Sequence, residues 1–250
     1  MAEHKFPTEV IDLPSLGKVY PKGSPLIDGK IELKYMTTKE EDILMSQNLI
    51  KKGVVIDKLL DSLIVTEGVK QDDLILGDKN AVLVAARILA YGPEYTCAVA
   101  NPKNPDQQIE HTFDLSQCPF KEVVKGVDYS DNSFDYTTPV GKTKLKFKIL
   151  TGKDEAQIEK DVKQSAKFGY NADITTRLRY MITEVDGDSS KEMINSYTQN
   201  MLARDSVAFR KYVNDISPDI ELTQEIELGG ETVSVSIPLT VEFFWPSSIE

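Results

Sequence analysis

The feature that most constrains the fold is a short segment that occurs twice. Residues 141–147 read Gly-Lys-Thr-Lys-Leu-Lys-Phe, and residues 29–35 read Gly-Lys-Ile-Glu-Leu-Lys-Tyr. Residues 151–155 and 37–41 also match, as Thr-Gly-Lys-Asp-Glu and Thr-Thr-Lys-Glu-Glu. The segments at 29 and 141 lie 112 positions apart (141 minus 29), and the segments at 37 and 151 lie 114 apart (151 minus 37). This difference predicts that the second copy has two extra residues between its two segments. We interpret this as an ancient duplication; the alternative is a chance match of two strand-to-helix turns.

Each copy predicts a strand followed by a helix. Over 142–149, lysines alternate with Thr143, Leu145, Phe147 and Ile149, the period of a strand with one solvated and one buried face. Thr151 and the acids after it are typical of a helix start, because they accept from free amides and complement the positive end of the helix. The basic face carries the candidate partner-binding residues Lys142, Lys144 and Lys146. It is either a solvated, aggregation-resistant strand face or a docking face for an acidic partner.

Composition bounds the class of protein. A chain of 250 residues with 40% hydrophobic and 28% charged residues is long enough for one large domain or two small ones, and predicts a soluble protein. The longest apolar run, 81–86, is far too short for a bilayer span, and the N-terminus has no secretory pattern. Two cysteines favour a reducing compartment, and the net charge of −11 disfavours a phosphate backbone as the main partner.

The first half of the chain predicts an arm and a helical unit. Residues 1–28, rich in Pro and Gly, form an extended N-terminal arm, and 29–117 form the first α+β half. We expect helices over about 38–53 and from 55, and a third that Asp78 caps. The third is apolar nearly all round, so its Arg87 must find a carboxylate or carbonyls. Alternating residues across the 101–105 tip then predict a hairpin.

The second half repeats this order. Residues 118–139 are the best linker candidate, and 140–250 form the second half. After its strand and first helix, we expect a helix that Asp173 caps and that runs to Val185, a helix with a Ser189–Glu192 capping box, and one from Asp205. A hairpin around the two glycines at 229–230 follows. The predicted fold class is α+β with two similar halves, each a strand leading into a capped helix, further helices and a β-hairpin.

No catalytic pattern stands out. The sequence has no glycine-rich phosphate loop, nucleophile elbow or His-Glu-x-x-His segment. A Cys–His dyad could use only His111 with Cys97 or Cys118, and a core thiol beside a strand histidine explains these residues better. A zinc site built from the same three residues would lack a fourth good ligand. We therefore predict a protein that is not an enzyme and has no cofactor or metal.

Two further segments are candidate partner-binding sites. Three consecutive aromatic residues near the C-terminus either plug the core or dock a neighbouring chain, because aromatic anchors dominate interfaces. The arm either lies on its own domain or clasps a partner. The residues of these two segments are Phe243, Phe244 and Trp245, and Leu13, Pro14, Tyr20 and Pro21.

The order of several motifs resembles a known family. These are Leu-Pro-Ser-x-Gly-x-x-Tyr-Pro at 13–21, the helix from 78 to 95 with Tyr-Gly-x-Glu-Tyr at its end, Phe-Asp-Leu at 113–115, Leu-Thr-Gly-Lys-Asp-Glu at 150–155, the 205–210 segment and Phe-Phe-Trp-Pro at 243–246. Together they resemble the baseplate hub assembly proteins of T-even-type contractile-tailed bacteriophages, over about residues 13–246.

The resemblance implies a baseplate hub component or assembly factor that acts by protein–protein contacts. Its expected partners are other phage tail or hub proteins, not a membrane, and its expected locations are the host cytoplasm during assembly and the virion. A permanent subunit and a transient chaperone both remain open. Relatives tend to carry Cys-Pro-x-Cys-Gly in the hairpin tips, like a zinc ribbon, whereas the tips here have no such ligands. The alternative is a nucleic-acid-associated module with a degenerate ribbon that uses the strand face at 142–148.

Overall fold

The computed structural model describes residues 6–101, 104–121, 123–167, 169, 172–228, 230–239 and 241–244. Within these ranges the chain forms eight α-helices and eleven strands. The helices are α1 (Thr38–Leu44), α2 (Gln47–Lys52), α3 (Val55–Leu63), α4 (Leu76–Tyr91), α5 (Gly152–Lys167), α6 (Asp173–Met181), α7 (Lys191–Asn200) and α8 (Ala203–Ile216). The strands are β1 (Thr8–Asp12), β2 (Lys30–Lys34), β3 (Glu94–Asn101), β4 (Asn104–Asp114), β5 (Phe120–Lys121), β6 (Phe134–Thr137), β7 (Lys144–Phe147), β8 (Ile182–Val185), β9 (Asp219–Ile220), β10 (Thr223–Leu228) and β11 (Glu231–Ser236).

All strand pairs are antiparallel and the sheets are small. They are β1–β2, β3–β4, β5–β9, β10–β11 and the three-stranded β6–β7–β8. Helices pack against β8 and β9, and buried side chains from both halves join one hydrophobic core. The arrangement confirms the predicted α+β class. In each half a strand, β2 or β7, leads into a helix, α1 or α5.

The two strand-to-helix segments align at a constant offset of 114. Ile31 and Leu33 are buried in β2, and their counterparts at this offset, Leu145 and Phe147, are buried in β7. An offset of 112 would instead match buried Ile31 with the half-buried Thr143. The predicted insertion of two residues is therefore wrong, because burial fixes the register of each strand relative to its helix.

The same offset relates a set of hydrogen bonds at the helix starts. Glu40 accepts from Lys34 Nζ at 2.8 Å and from the Thr37 backbone N–H at 3.0 Å. Asp154 accepts from Lys148 Nζ at 2.7 Å and from the Thr151 backbone N–H at 3.0 Å. In both cases the threonine hydroxyl also donates to the carboxylate. Both helices thus begin with a lysine–threonine–acid arrangement of one geometry.

In each half a returning segment pairs with the strand that precedes the helix. Leu33 of β2 pairs with Ile64 in an isolated antiparallel bridge, and Phe147 of β7 pairs with Ile182 of β8. The helix predicted to extend to Val185 therefore ends at Met181, because the next four residues pair with β7. The spacing of apolar residues near 181–185 is compatible with a helix or with a strand. Pairing with the edge of β7 makes residues 182–185 a strand.

Several predicted helix starts need correction. The helix predicted over 38–53 is broken between α1 and α2, although Gly53 ends α2 with a φ of 70° as expected. Asp78 does not cap α4, which begins two residues earlier; its carboxylate bonds to the arm instead. Asp173 is the first residue of α6 rather than its N-cap, and α7 is capped by Ser190, which accepts from the Met193 N–H. Likewise, α8 begins at residue 203.

The hairpins follow the predicted register, and their described residues form no metal site. Tyr95 lies opposite Phe113, and Cys97 lies opposite His111. Residues 102–103 and 229, which belong to the two predicted tips, lie outside the described residues. In the part of the chain that the structure describes, no three Cys, His, Asp or Glu side chains cluster as a metal site. The likeness to a zinc ribbon is thus not confirmed.

The predicted linker, 118–139, contains regular structure. Its strand β5 pairs with β9, and its strand β6 pairs with β7. Asn132, also in this stretch, exchanges hydrogen bonds with the backbone of Ile149, donating to its carbonyl at 2.8 Å and accepting from its N–H at 2.9 Å. The boundaries of the two halves remain a prediction.

Candidate interaction surfaces

The two halves meet through close backbone contacts, which we call the inter-half interface. The Leu76 N–H donates to the Leu150 carbonyl at 3.2 Å, and the Gly152 N–H donates to the Leu74 carbonyl at 2.9 Å. A methyl group added at Gly77 would lie 1.9 Å from the Pro218 carbonyl oxygen. A methyl group added at Gly152 would lie 2.9 Å from the Asp72 Cα. Both glycines are therefore required by the close approach of the two backbones.

The N-terminal arm is fastened to α4 by Asp78. This buried carboxylate accepts from the Ser15 N–H at 3.0 Å, the Ser15 hydroxyl at 2.6 Å and the Tyr20 hydroxyl at 2.7 Å. Tyr20 in turn accepts from the Ile75 N–H at 3.2 Å. Burial raises the pKa of Asp78 and, together with the neighbouring carboxylate, the pKa of Tyr20. The arm thus lies on its own domain in this structure.

The arm residues predicted to bind a partner are mostly inaccessible. Leu13 and Tyr20 belong to the core, and Pro14 is also buried. Pro21 is exposed. Of the four arm residues, only Pro21 presents its side chain to a partner without rearrangement of the arm.

Asp205 fastens the second half in a corresponding way. It is buried in the first turn of α8 and accepts from the backbone N–H groups of Val140 and Gly141, each at 2.8 Å. These two residues belong to the loop between β6 and β7. Sequence reasoning took Asp205 only as a helix start and missed this contact.

The aromatic residues near the C-terminus pack into the core. Phe243 and Phe244 are each 1% exposed, and the Phe243 ring meets Tyr95 edge-on with the centroids 4.9 Å apart. Arg87 donates to the Phe243 carbonyl at 3.0 Å, and also to the carbonyls of Gly92 and Glu94. These contacts agree with the plug interpretation. Arg87 was predicted to need a carboxylate or carbonyls, and carbonyls are what it binds. Trp245, the third aromatic residue, lies outside the described residues.

The lysine face exists but is balanced by acids. Lys144 and Lys146 are exposed on β7, and Lys142 is exposed in the preceding turn with a φ of 56°. Lys146 Nζ lies 3.6 Å from a Glu184 carboxylate oxygen, and Asp135 lies opposite Lys146 on β6. The flanking strands therefore offset much of the positive charge.

The cysteines are held as thiols. Burial raises the pKa of Cys97 and of Cys118, which disfavours the reactive thiolate. Gln224 donates to Cys118 Sγ at 3.3 Å, a contact that joins the second hairpin to the start of the predicted linker. Within the described ranges, the helices are all too short or too polar to traverse a bilayer.

The comparisons with known proteins identify the family. A family model described as T4 bacteriophage base plate protein matches residues 6–245. The chain belongs to this family. It is a phage base plate protein, and the resemblance seen in the sequence motifs is confirmed at that level. Searches of the curated proteins and of the solved structures give no match.

The match covers both halves and the interface between them. Sequence reasoning missed one surface of this base plate protein, on the first turns of α8. Leu202 is 51% exposed and Val207 is 58% exposed. Val207 lies outside the apolar stripe of residues 209, 212, 213 and 216. An apolar residue outside this stripe was the sequence signal that could have indicated the surface.

Proposed function

We propose that this base plate protein is a component or assembly factor of the baseplate hub and acts through protein–protein contacts. It would act in the host cytoplasm as the tail is built, with other hub or tail proteins as partners. The observation that carries the proposal is the family match over residues 6–245, which takes in the whole described fold rather than one appended module.

The use of polar side chains supports action through surfaces. Asp78 and Asp205 each hold a loop, and Arg87 ties the C-terminal segment to α4. The buried groups best placed for chemistry thus have structural partners. Among the described residues, Pro21 and the exposed lysines at 142, 144 and 146 are the predicted partner-binding residues that a neighbouring protein can reach.

The test is affinity purification of the tagged protein from infected or co-expressing cells, with mass spectrometry of the captured proteins. Recovery of hub, wedge or tape-measure proteins is the expected result. The double variant Lys142→Glu/Lys144→Glu should reduce capture if the lysine face contributes, while Lys160→Glu, exposed on α5, serves as its control.

Analysis of purified particles distinguishes a permanent hub subunit from a transient assembly factor. Retention in finished tails at a fixed ratio to other hub proteins indicates a subunit, and loss before completion indicates an assembly factor. Capture of no tail protein would overturn the proposal.

A further inference from the structure

The inter-half interface joins two different surfaces, so it is heterologous. The first half contributes the start of α4, residues 74–77. The second half contributes residues 150–152 and the turn at Pro218. Because the halves are similar, we expect the second half to carry a counterpart of residues 74–77, which we call the left-over contributing surface. We also expect the first half to carry a counterpart of residues 150–152 and Pro218, which we call the left-over receiving surface. The inter-half interface uses neither counterpart.

The left-over contributing surface is on α8. Asp205 and Asp78 are the third residues of α8 and α4, so the helices align at an offset of 127 (205 minus 78). At this offset Ile75 corresponds to Leu202, and Asn80 corresponds to Val207. Ile75 is 1% exposed in the inter-half interface, whereas Leu202 is 51% exposed. Asn80 donates to Asp219 across that interface at 3.1 Å, whereas Val207 is 58% exposed.

The left-over receiving surface is in the first half. Residues 150–152 correspond to 36–38 at the offset of 114, and Thr38 is exposed where Gly152 is buried. Pro218 is the second residue after α8, and Pro93 is the second residue after α4, so the two correspond. Pro218 is buried, whereas Pro93 is exposed. Glu94, which follows Pro93, is also exposed.

We propose that a second copy of this chain docks head to tail on the first. Residues Leu202, Arg204 and Val207 of one copy, the α8 face, would lie against residues 36–38 and 93–94 of the other, the receiving surface. A heterologous contact of this kind generates a ring if the rotation closes and an open chain if it does not.

Charge and side-chain size agree with this occupant. Arg204 stands at the position of Gly77 and would meet Glu94 at the position of Asp219, a pair of opposite charges. Thr38 stands at the position of Gly152. Side chains therefore replace both glycines that let the halves touch through their backbones. The contact between copies would therefore be made by side chains rather than by two closely approaching backbones.

The inference goes beyond the proposed function and does not depend on it, because the test uses the purified full chain alone. Sedimentation velocity over a wide range of concentrations should show species larger than one chain. Val207→Asp should weaken association by about tenfold or more, the loss of a central apolar contact. The control is Ile174→Asp on α6, at a residue 48% exposed and outside both surfaces, which should associate like the wild type.

A charge exchange tests the pairing of the two surfaces. Arg204→Glu and Glu94→Arg should each weaken association, and the double variant should restore it. Thermal unfolding of each variant checks that the fold is kept. A monomer at every concentration would overturn the proposal, as would an equal effect of Ile174→Asp or a double variant no better than the single ones.

Discussion

Asp78 and Asp205 hold the same position in two helices, and each fastens the loop between two paired strands, β1 and β2 for Asp78 and β6 and β7 for Asp205. Asp78 receives the Ser15 N–H and Asp205 receives the Val140 N–H, at 3.0 Å and 2.8 Å. Both carboxylates are buried, so each can persist only with several donors around it. The two halves thus share a tertiary contact in addition to their strand-to-helix segments.

Asp78→Ala should destabilise the protein by about 3 kcal/mol, because buried donors of Ser15 and Tyr20 would lose their acceptor. Urea unfolding monitored by circular dichroism measures the change. The matched control is Asp61→Ala, whose ion pair with Lys58 at 3.3 Å is partly exposed; it should change stability by less than about 0.5 kcal/mol. Equal losses for the two variants would contradict a structural role for Asp78.

Glu40 should make the protein depend on pH in the acid range. Burial raises its pKa, but hydrogen bonds from Lys34, Ser62 and Thr37 outweigh this and lower the pKa from 4.5 to about 2. Because the pKa is lower in the folded state, the stabilisation is present above the unfolded value of 4.5 and is lost as the pH falls toward 2.

Glu40→Gln tests this dependence. The wild type should exceed the variant by up to about 3 kcal/mol near neutral pH, and the difference should shrink as the pH approaches 2. Glu159→Gln, which removes an exposed pair with Lys163 on α5, should cost less than about 0.5 kcal/mol at any pH. A difference for Glu40→Gln that does not change with pH would exclude the ion pair with Lys34 as its source.

Local patterns predicted the elements whose partners are near in sequence. Alternation predicted β7 and the hairpin register of Tyr95 opposite Phe113, because a strand exposes every second residue. The apolar surroundings of Arg87 predicted its bonding to carbonyls. In these cases residue type and neighbours within a few positions are enough to predict the element or the kind of partner, although one carbonyl that binds Arg87 belongs to Phe243, 156 positions away.

Long-range contacts decided the rest. Asp78 has the sequence context of a helix cap, and only Tyr20, 58 positions away, shows that it is an anchor for the arm. Residues 182–185 continue an apolar helical stripe, and only the edge of β7 makes them a strand. Gly77 in a helix looks unfavourable until Pro218 is placed against it. None of these partners can be inferred from spacing within one element.

The lysine face should not give the protein affinity for nucleic acid. Lys146 lies beside Glu184 and opposite Asp135, and the chain carries a net charge of −11. We expect no binding of double- or single-stranded DNA in a fluorescence anisotropy titration, even at low salt, where phosphate contacts are strongest. The double variant Asp135→Asn/Glu184→Gln, which unmasks the lysines, is the matched comparison. Salt-sensitive binding by the wild type would favour the nucleic-acid alternative.

Gly77→Ala should destabilise the inter-half interface. In an ordinary helix this change stabilises by about 1 kcal/mol, because alanine has the higher helix propensity. Here the added methyl group would lie 1.9 Å from the Pro218 carbonyl oxygen and 2.8 Å from the Asp219 Cα, so backbone must move. We expect a net loss of several kcal/mol, in the upper range of single substitutions.

The measurement is urea unfolding followed by circular dichroism, with hydrogen exchange to locate the opening. Exchange should increase first at the Leu76 and Gly152 amides, which join the halves. Gly53→Ala is the control: its φ of 70° imposes strain of about 1 kcal/mol, but no atom lies within 4 Å of the added methyl group. If Gly77→Ala is as stable as the wild type, the halves are not held by the backbone approach at Pro218.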